Sequence, residues 1–298
     1  PQVPGDRSPP VALPAIAARS VAPYAAAMSG TATVSSSPSP SLRADGPCLT
    51  GTLKNLGNSS KPMPPAALAK VKSDALDLLA RVVTVYQADI AQGEVGAAGD
   101  AKAGKSKPKR PCTGLLYGRI QSGKTVAMIA LVAAAIDNGF RVIVVLTSDN
   151  VKLVAQTTDR FAVLEGPNTL DALNPSAWET DDKHIGKHLG KGVVFVCSKN
   201  KTRLDGLIAF LKKVGAPDYP ALILDDEADQ ATLDAHIGQD GVDPTAIHTR
   251  VANELRTTLR HHVFLQVTAT PYALLLQSVG TQLRPSFTRL LEPGAGYT

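Results

Sequence analysis

GRIQSGKT, residues 118–125, decides the reading of this chain. It fits G-x-x-x-x-G-K-[ST], a loop in which consecutive backbone N–H groups point at phosphate oxygens. Gly118 and Gly123 allow the tight backbone path, and Gln121 and Ser122 complete the cradle. Gln121 either orients the γ-phosphate or caps the loop. Lys124 has the reach for the β- and γ-phosphates, and the Thr125 hydroxyl suits Mg²⁺. The apolar run CTGLLY leads into the loop and the Ala-rich run VAMIALVAAAI leads out of it. This context predicts a buried strand entering the loop and a helix leaving it, with the helix N-terminus facing the anion.

Working outward, short apolar runs alternate with amphipathic ones. Strands are predicted at 113–117, 141–147, 192–197, 220–225 and 262–268, and helices near 124–138, 150–163, 201–214 and 245–260. Near-continuous apolar strands separated by helices imply a parallel α/β sheet covered on both faces. Upstream, Leu68, Val71, Leu76, Leu79, Val82, Val83 and Tyr86 form a helical stripe within 65–90, expected to pack on the domain that follows. Three regions are therefore expected: a low-complexity, disordered tail over 1–62, a helix plus basic linker over 63–111, and the nucleotide-binding domain over 112–298. The polar stretch from about 165 to 190, which carries Trp178, reads as an insertion or loop.

Two further signatures lie at predicted strand ends. ALILDDEADQ, 221–230, puts acids at the carboxyl end of a buried strand, where open α/β sheets bind ligands. A carboxylate there holds the Mg²⁺ that bridges phosphates, and the next acid can polarise a water. Asp226 is assigned to the metal and Glu227 to the general base, with Asp225 a competitor for the metal because strand ends are uncertain by a residue. VTATP, 267–271, offers the hydroxyls of Thr268 and Thr270 at the same edge, and Pro271 stops the strand. These two threonines can sense the metal-binding acids and relay nucleotide state.

In this order GRIQSGKT, DDEADQ and TATP resemble motifs I, II and III of superfamily 2 helicases and translocases. LTSDNVKLVAQTTDRF, 146–161, looks like the family's motif Ia region, and CSKNKTRLDGL, 197–207, sits where motif Ib lies. The finer texture, with TATP-Y and the segment 283–298, resembles the Z1-domain family, described as endonucleases of bacterial defence and restriction-type operons. The resemblance covers about 112–298 and implies a RecA-like P-loop ATPase domain using ATP and Mg²⁺. It implies a nucleic-acid partner, DNA before RNA, with Asn150 and Gln156 as candidate contacts. For Asn150 and Gln156 a helix N-cap and a surface amide are equally good readings. The resemblance also implies a second RecA-like domain or partner supplying an arginine finger, which is worth several orders of magnitude in rate. Residues 1–298 hold no such domain, so slow hydrolysis is expected from this chain alone. No cluster of acids and lysine suited to two-metal phosphodiester cleavage stands outside the ATP site, so an endonuclease is implied by the resemblance only.

Composition narrows the alternatives. The net charge of +5 owes much to Lys102, Lys105, Lys107, Lys109 and Arg110, a basic linker that attracts phosphate backbones weakly. Cys48, Cys112 and Cys197 lack C-x-x-C spacing, which points to a reducing, cytoplasmic compartment without structural zinc. His184 and His188 are four apart but without the intervening Glu of a zinc helix. No apolar run is long enough to span a membrane. A GTPase-type switch would need N-K-x-D, and after Asn200-Lys201 the acid, Asp205, comes two residues late. A nucleotide-gated scaffold without motor activity is the other alternative.

Overall fold

The computed structural model describes residues 40–59, 61–98, 112–119, 122–165, 189–230, 232–233, 245–277 and 283–292. Helices α1 (Pro47–Gly57) and α2 (Pro65–Ala98) precede β1 (Thr113–Gly118). Then follow α3 (Lys124–Asp137), β2 (Val142–Thr147), α4 (Val151–Phe161), β3 (Val193–Ser198), α5 (Lys201–Lys213) and β4 (Ala221–Asp226). Helix α6 is built from Ala246–His248, the π-helical Thr249–Leu255 and Arg256–Thr258, and leads into β5 (His262–Thr268). The short α7 (Tyr272–Leu275), the strand β6 (Phe287–Leu291) and two 3-10 turns, Leu189–Lys191 and Ala216–Asp218, complete the described elements.

The strands form one sheet in the order β3-β2-β4-β5-β1-β6, and every neighbouring pair is parallel. Helices cover both faces, which is why β2 and β3 are buried at every position and read as continuous apolar runs. Ile143, Val145, Leu222, Leu224 and Leu265 face the layer that holds α1 to α4. Val144, Phe195, Ile223 and Phe264 face α5 and α6. This is the three-layer α/β sandwich of the expected RecA-like domain. A strand, β5, stands between the phosphate-loop strand β1 and the acidic strand β4.

Helix α3 is buried from Ala127 to Ile136 without a break. A helix that is apolar all round must be covered all round. The sheet lies on one side of α3, and α1 and α2 pack on the other. The stripe on α2 is thereby accounted for, since Leu79, Val82 and Tyr86 all sit in this core.

Helix α1 differs from the sequence expectation, which placed residues up to 62 in a disordered tail. Cys48 and Leu49 are each 1% exposed. Asp137, at the end of α3, accepts the Cys48 and Leu49 N–H groups at 3.0 and 2.8 Å and so caps α1 from a distant position in the chain. The signal is non-local: an 11-residue helix with its cap on another element has no periodic signature of its own. Edge strand β6 was also not predicted, because its residues alternate between half-buried and exposed around Arg289. Trp178, His184, His188, the basic linker and most of the 165–190 insertion lie outside the described residues, as does Gln121.

Candidate nucleotide site at the carboxyl edge of the sheet

Because all strands run the same way, β1, β4 and β5 end together. Tyr117 pairs with Thr268, and Val267 with Asp226, so the three sequence signatures meet at one edge.

The phosphate loop departs from β1 at Gly118. A Cβ there would lie 2.6 Å from Ser122 Oγ and 2.9 Å from the Leu291 carbonyl oxygen, so the position admits only glycine. Gly123 enters α3 in the left-handed region, at φ 86°. It leaves the helix N-terminus with no side-chain cap and no acid in the first turn. A helix of this length that lacks a cap presents its first N–H groups to an anion. The buried Ser122 hydroxyl has no hydrogen-bond partner among the described residues. Lys124 Nζ donates to the Gly118 and Arg119 carbonyls at 3.1 and 2.9 Å. Burial lowers the pKa of this ammonium, and Asp226, Asp229 and Glu227 oppose the shift, so the lysine sits in the field of the acidic turn. Thr125 is half-buried, and Arg160 on α4 donates to its hydroxyl at 3.4 Å.

The acids separate by environment. Asp225 is fully buried and paired with Lys199 Nζ at 3.1 Å. Burial raises its pKa and Lys199 opposes the rise. Asp226 closes β4 at the open edge. Burial first, then repulsion from Glu227, pushes its carboxyl up to about 6, against the pull of Lys199. Glu227 is exposed and holds φ at 54°, a left-handed backbone for a non-glycine residue. Such a conformation costs on the order of 1–3 kcal/mol and persists only where the surroundings impose it. The surroundings here are the Asp226 carboxylate, which accepts the Glu227 N–H at 3.1 Å, and Ala228, whose N–H returns to the β5 ladder at Val267 O, 3.1 Å away.

Thr268 and Thr270 converge on Asp229, a residue not singled out in the sequence. Thr268 Oγ1 donates to Asp229 Oδ1 at 2.5 Å and Thr270 Oγ1 to Asp229 Oδ2. Burial alone would raise the Asp229 carboxyl, but these hydrogen bonds outweigh it and hold the group below its ordinary pKa. Asn150 spends its side-chain oxygen on capping α4, at 2.9 Å from Lys152 N, and Gln156 is an exposed amide on the same helix. Sequence reasoning also missed Lys199 and Arg160. Lys199 shares its stretch with Lys201 and Arg203, so the sequence gives no reason to single it out.

The donor set fits a nucleoside triphosphate and Mg²⁺. An uncapped helix N-terminus and Lys124 suit phosphate oxygens, while a hydroxyl and a strand-end carboxylate, both oxygen ligands, suit a hard divalent cation.

No family model matches the chain, which leaves the Z1-domain resemblance without support. No curated protein matches it either. Among solved structures it is similar to the Hef helicase domain of Pyrococcus furiosus, at 18% identity and TM-score 0.41 over 68% of this chain and 37% of that one. It is also similar to the DUF1998 helicase MrfA bound to DNA, at 14% identity and TM-score 0.40 over 78% of this chain and 30% of that one. The chain thus spans well under half the length of either. Among the described residues, no helix is long and apolar enough to cross a membrane.

Proposed function

We propose that this chain is the ATP-binding and ATP-hydrolysing domain of a superfamily 2 helicase-like protein that acts on nucleic acid, DNA before RNA. The observation that carries the proposal is that the strand leading into the Lys124 loop and the strand ending at Asp226 finish at one sheet edge, in register through β5.

In this reading the backbone of residues 118–123 and the α3 N-terminus cradle the phosphates. Lys124 leaves the loop carbonyls for the β- and γ-phosphate oxygens. Thr125 and Asp226 would hold Mg²⁺, directly or through water, and the ion supplies neutralisation of charge on the phosphates. Glu227 would accept a proton from the attacking water, and its exposure to solvent suits that role. Thr268 and Thr270, bound to Asp229, tie the acidic turn to the end of β5 and report its position. An arginine supplied by a second RecA-like domain or a partner would raise turnover further. The DNA preference rests on the motif resemblance and on the basic segment 102–110.

Phosphate release from MgATP by the purified protein, with and without single-stranded DNA, tests the proposal. Glu227→Gln should lower turnover about 10²- to 10⁴-fold, the usual worth of a general base, with nucleotide affinity within a few-fold. Equal turnover in the two proteins would leave a nucleotide-gated scaffold as the better reading.

A further inference from the structure

We propose that Lys199 is the positioning residue for the acids of this site, an inference that rests on the reading of Asp226 and Glu227 given above. Lys199 lies one residue beyond β3, and its own N–H donates to Thr147 O at the end of β2, 2.8 Å away. From there the side chain spans past β2, which separates β3 from β4, to reach the acidic turn. Its side chain is 1% exposed and that of Asp225 is 0% exposed.

The ammonium meets four acceptors: Asp225 Oδ1 at 3.1 Å, Asp226 O at 2.8 Å, Glu227 O at 2.8 Å and Gln230 O at 3.1 Å. A lysine has three N–H donors, so all of them are engaged within this one turn. Three carbonyls of the segment 226–230 are drawn inward onto a single buried cation. This is the constraint that fixes the backbone on either side of the left-handed Glu227. Asp226 and Glu227 stand at the carboxyl end of β4, the edge at which β1 leads into the loop of Lys124. Lys199 therefore touches neither phosphate nor metal. It sets where the acids sit, while the phosphate loop takes its shape from β1, β6 and α3 and does not depend on it.

This division gives a readout that a purely structural lysine would not. Lys199→Met paired with Asp225→Asn removes both buried charges, so no unpaired ion remains to unfold the domain. A fluorescent ATP analogue is titrated in EDTA and against Mg²⁺, and turnover is measured in parallel. Expected are an affinity in EDTA within about twofold of the parent, a Mg²⁺ midpoint raised about tenfold or more, and turnover down by at least as much. If the pair fails to fold, Lys199→Arg gives the same readings. It keeps the charge beside Asp225, but its planar fork does not fit a ring of carbonyls built around a compact ammonium. A folded variant with parental Mg²⁺ midpoint and turnover overturns the proposal. So does a loss of affinity in EDTA equal to the loss with Mg²⁺, which would make Lys199 a support of the fold. A parent protein that binds the analogue without responding to Mg²⁺ removes the functional reading itself, and with it the acids that Lys199 would position.

Discussion

The phosphate loop and the acidic turn face each other across the same sheet edge, yet they are held in opposite ways. The described hydrogen bonds of Lys124 and of the Ser122 N–H go to the loop's own neighbours. Lys124 rests on carbonyls five and six residues back, and Ser122 N–H donates to Arg119 O at 3.0 Å. The turn is closed by residues far away in the chain: Lys199 from beyond β3, and Thr268 and Thr270 from the end of β5. A site with one locally determined half and one half determined by topology can lose its acids without losing its cradle.

Three substitutions break or sharpen that contrast. The largest effect on nucleotide binding is expected from Lys124→Ala, which removes charge-assisted contact worth about 1.5–3 kcal/mol in all. ATP affinity should fall roughly 10- to 150-fold by equilibrium titration, with thermal stability close to the parent because the lysine is only half-buried. Next comes Thr268→Val, which strips Asp229 of a hydrogen bond to a charged acceptor and should cost about 1.5–3 kcal/mol in urea unfolding. A loss of loop function without a loss of stability, set against a loss of stability when the turn loses a long-range contact, is the signature of the two modes of construction. The smallest effect on stability is expected from Glu227→Gly, which relieves the left-handed backbone and should stabilise the fold by about 1 kcal/mol, while turnover falls about 10²- to 10⁴-fold with the loss of the base. Destabilisation by that change would mean that the turn is not strained.

A pH series tests the electrostatics of the turn without nucleotide. The folded-state pKa of Asp226 lies near 6, above its ordinary value of 3.8, so the ionised carboxylate weakens the fold above pH 6. Protonation removes that cost as pH falls from about 6 toward 4. In EDTA, Asp226→Asn should therefore be more stable than the parent at pH 8, and the advantage should shrink through pH 6. An advantage independent of pH would contradict the burial of Asp226.

How much of this was legible follows the same divide. The predicted ends of β1 to β5 fall within one residue of the observed ones, because strands buried on both faces are apolar throughout and the turn residues punctuate them. The flanks of the loop were legible, since the strand runs in to Gly118 and the helix begins at Lys124 as the eight-residue pattern predicts. The acidic run was legible as a carboxylate cluster, but the separate environments of its members were not. Which acid is buried, which is strained and which binds the threonines depends on Lys199 and β5, and these come near only once the sheet has formed. Helix α1 was missed for the same reason, because its cap, Asp137, belongs to α3.

The most direct measurement is equilibrium binding of ATP to the purified protein, with and without Mg²⁺, for the parent and for Asp226→Asn. The parent should bind ATP more tightly with Mg²⁺, and Asp226→Asn should lose that gain while retaining its metal-free affinity. A parent indifferent to Mg²⁺, or a gain that survives in Asp226→Asn, would contradict a nucleotide gripped by Lys124 on one side and Asp226 on the other.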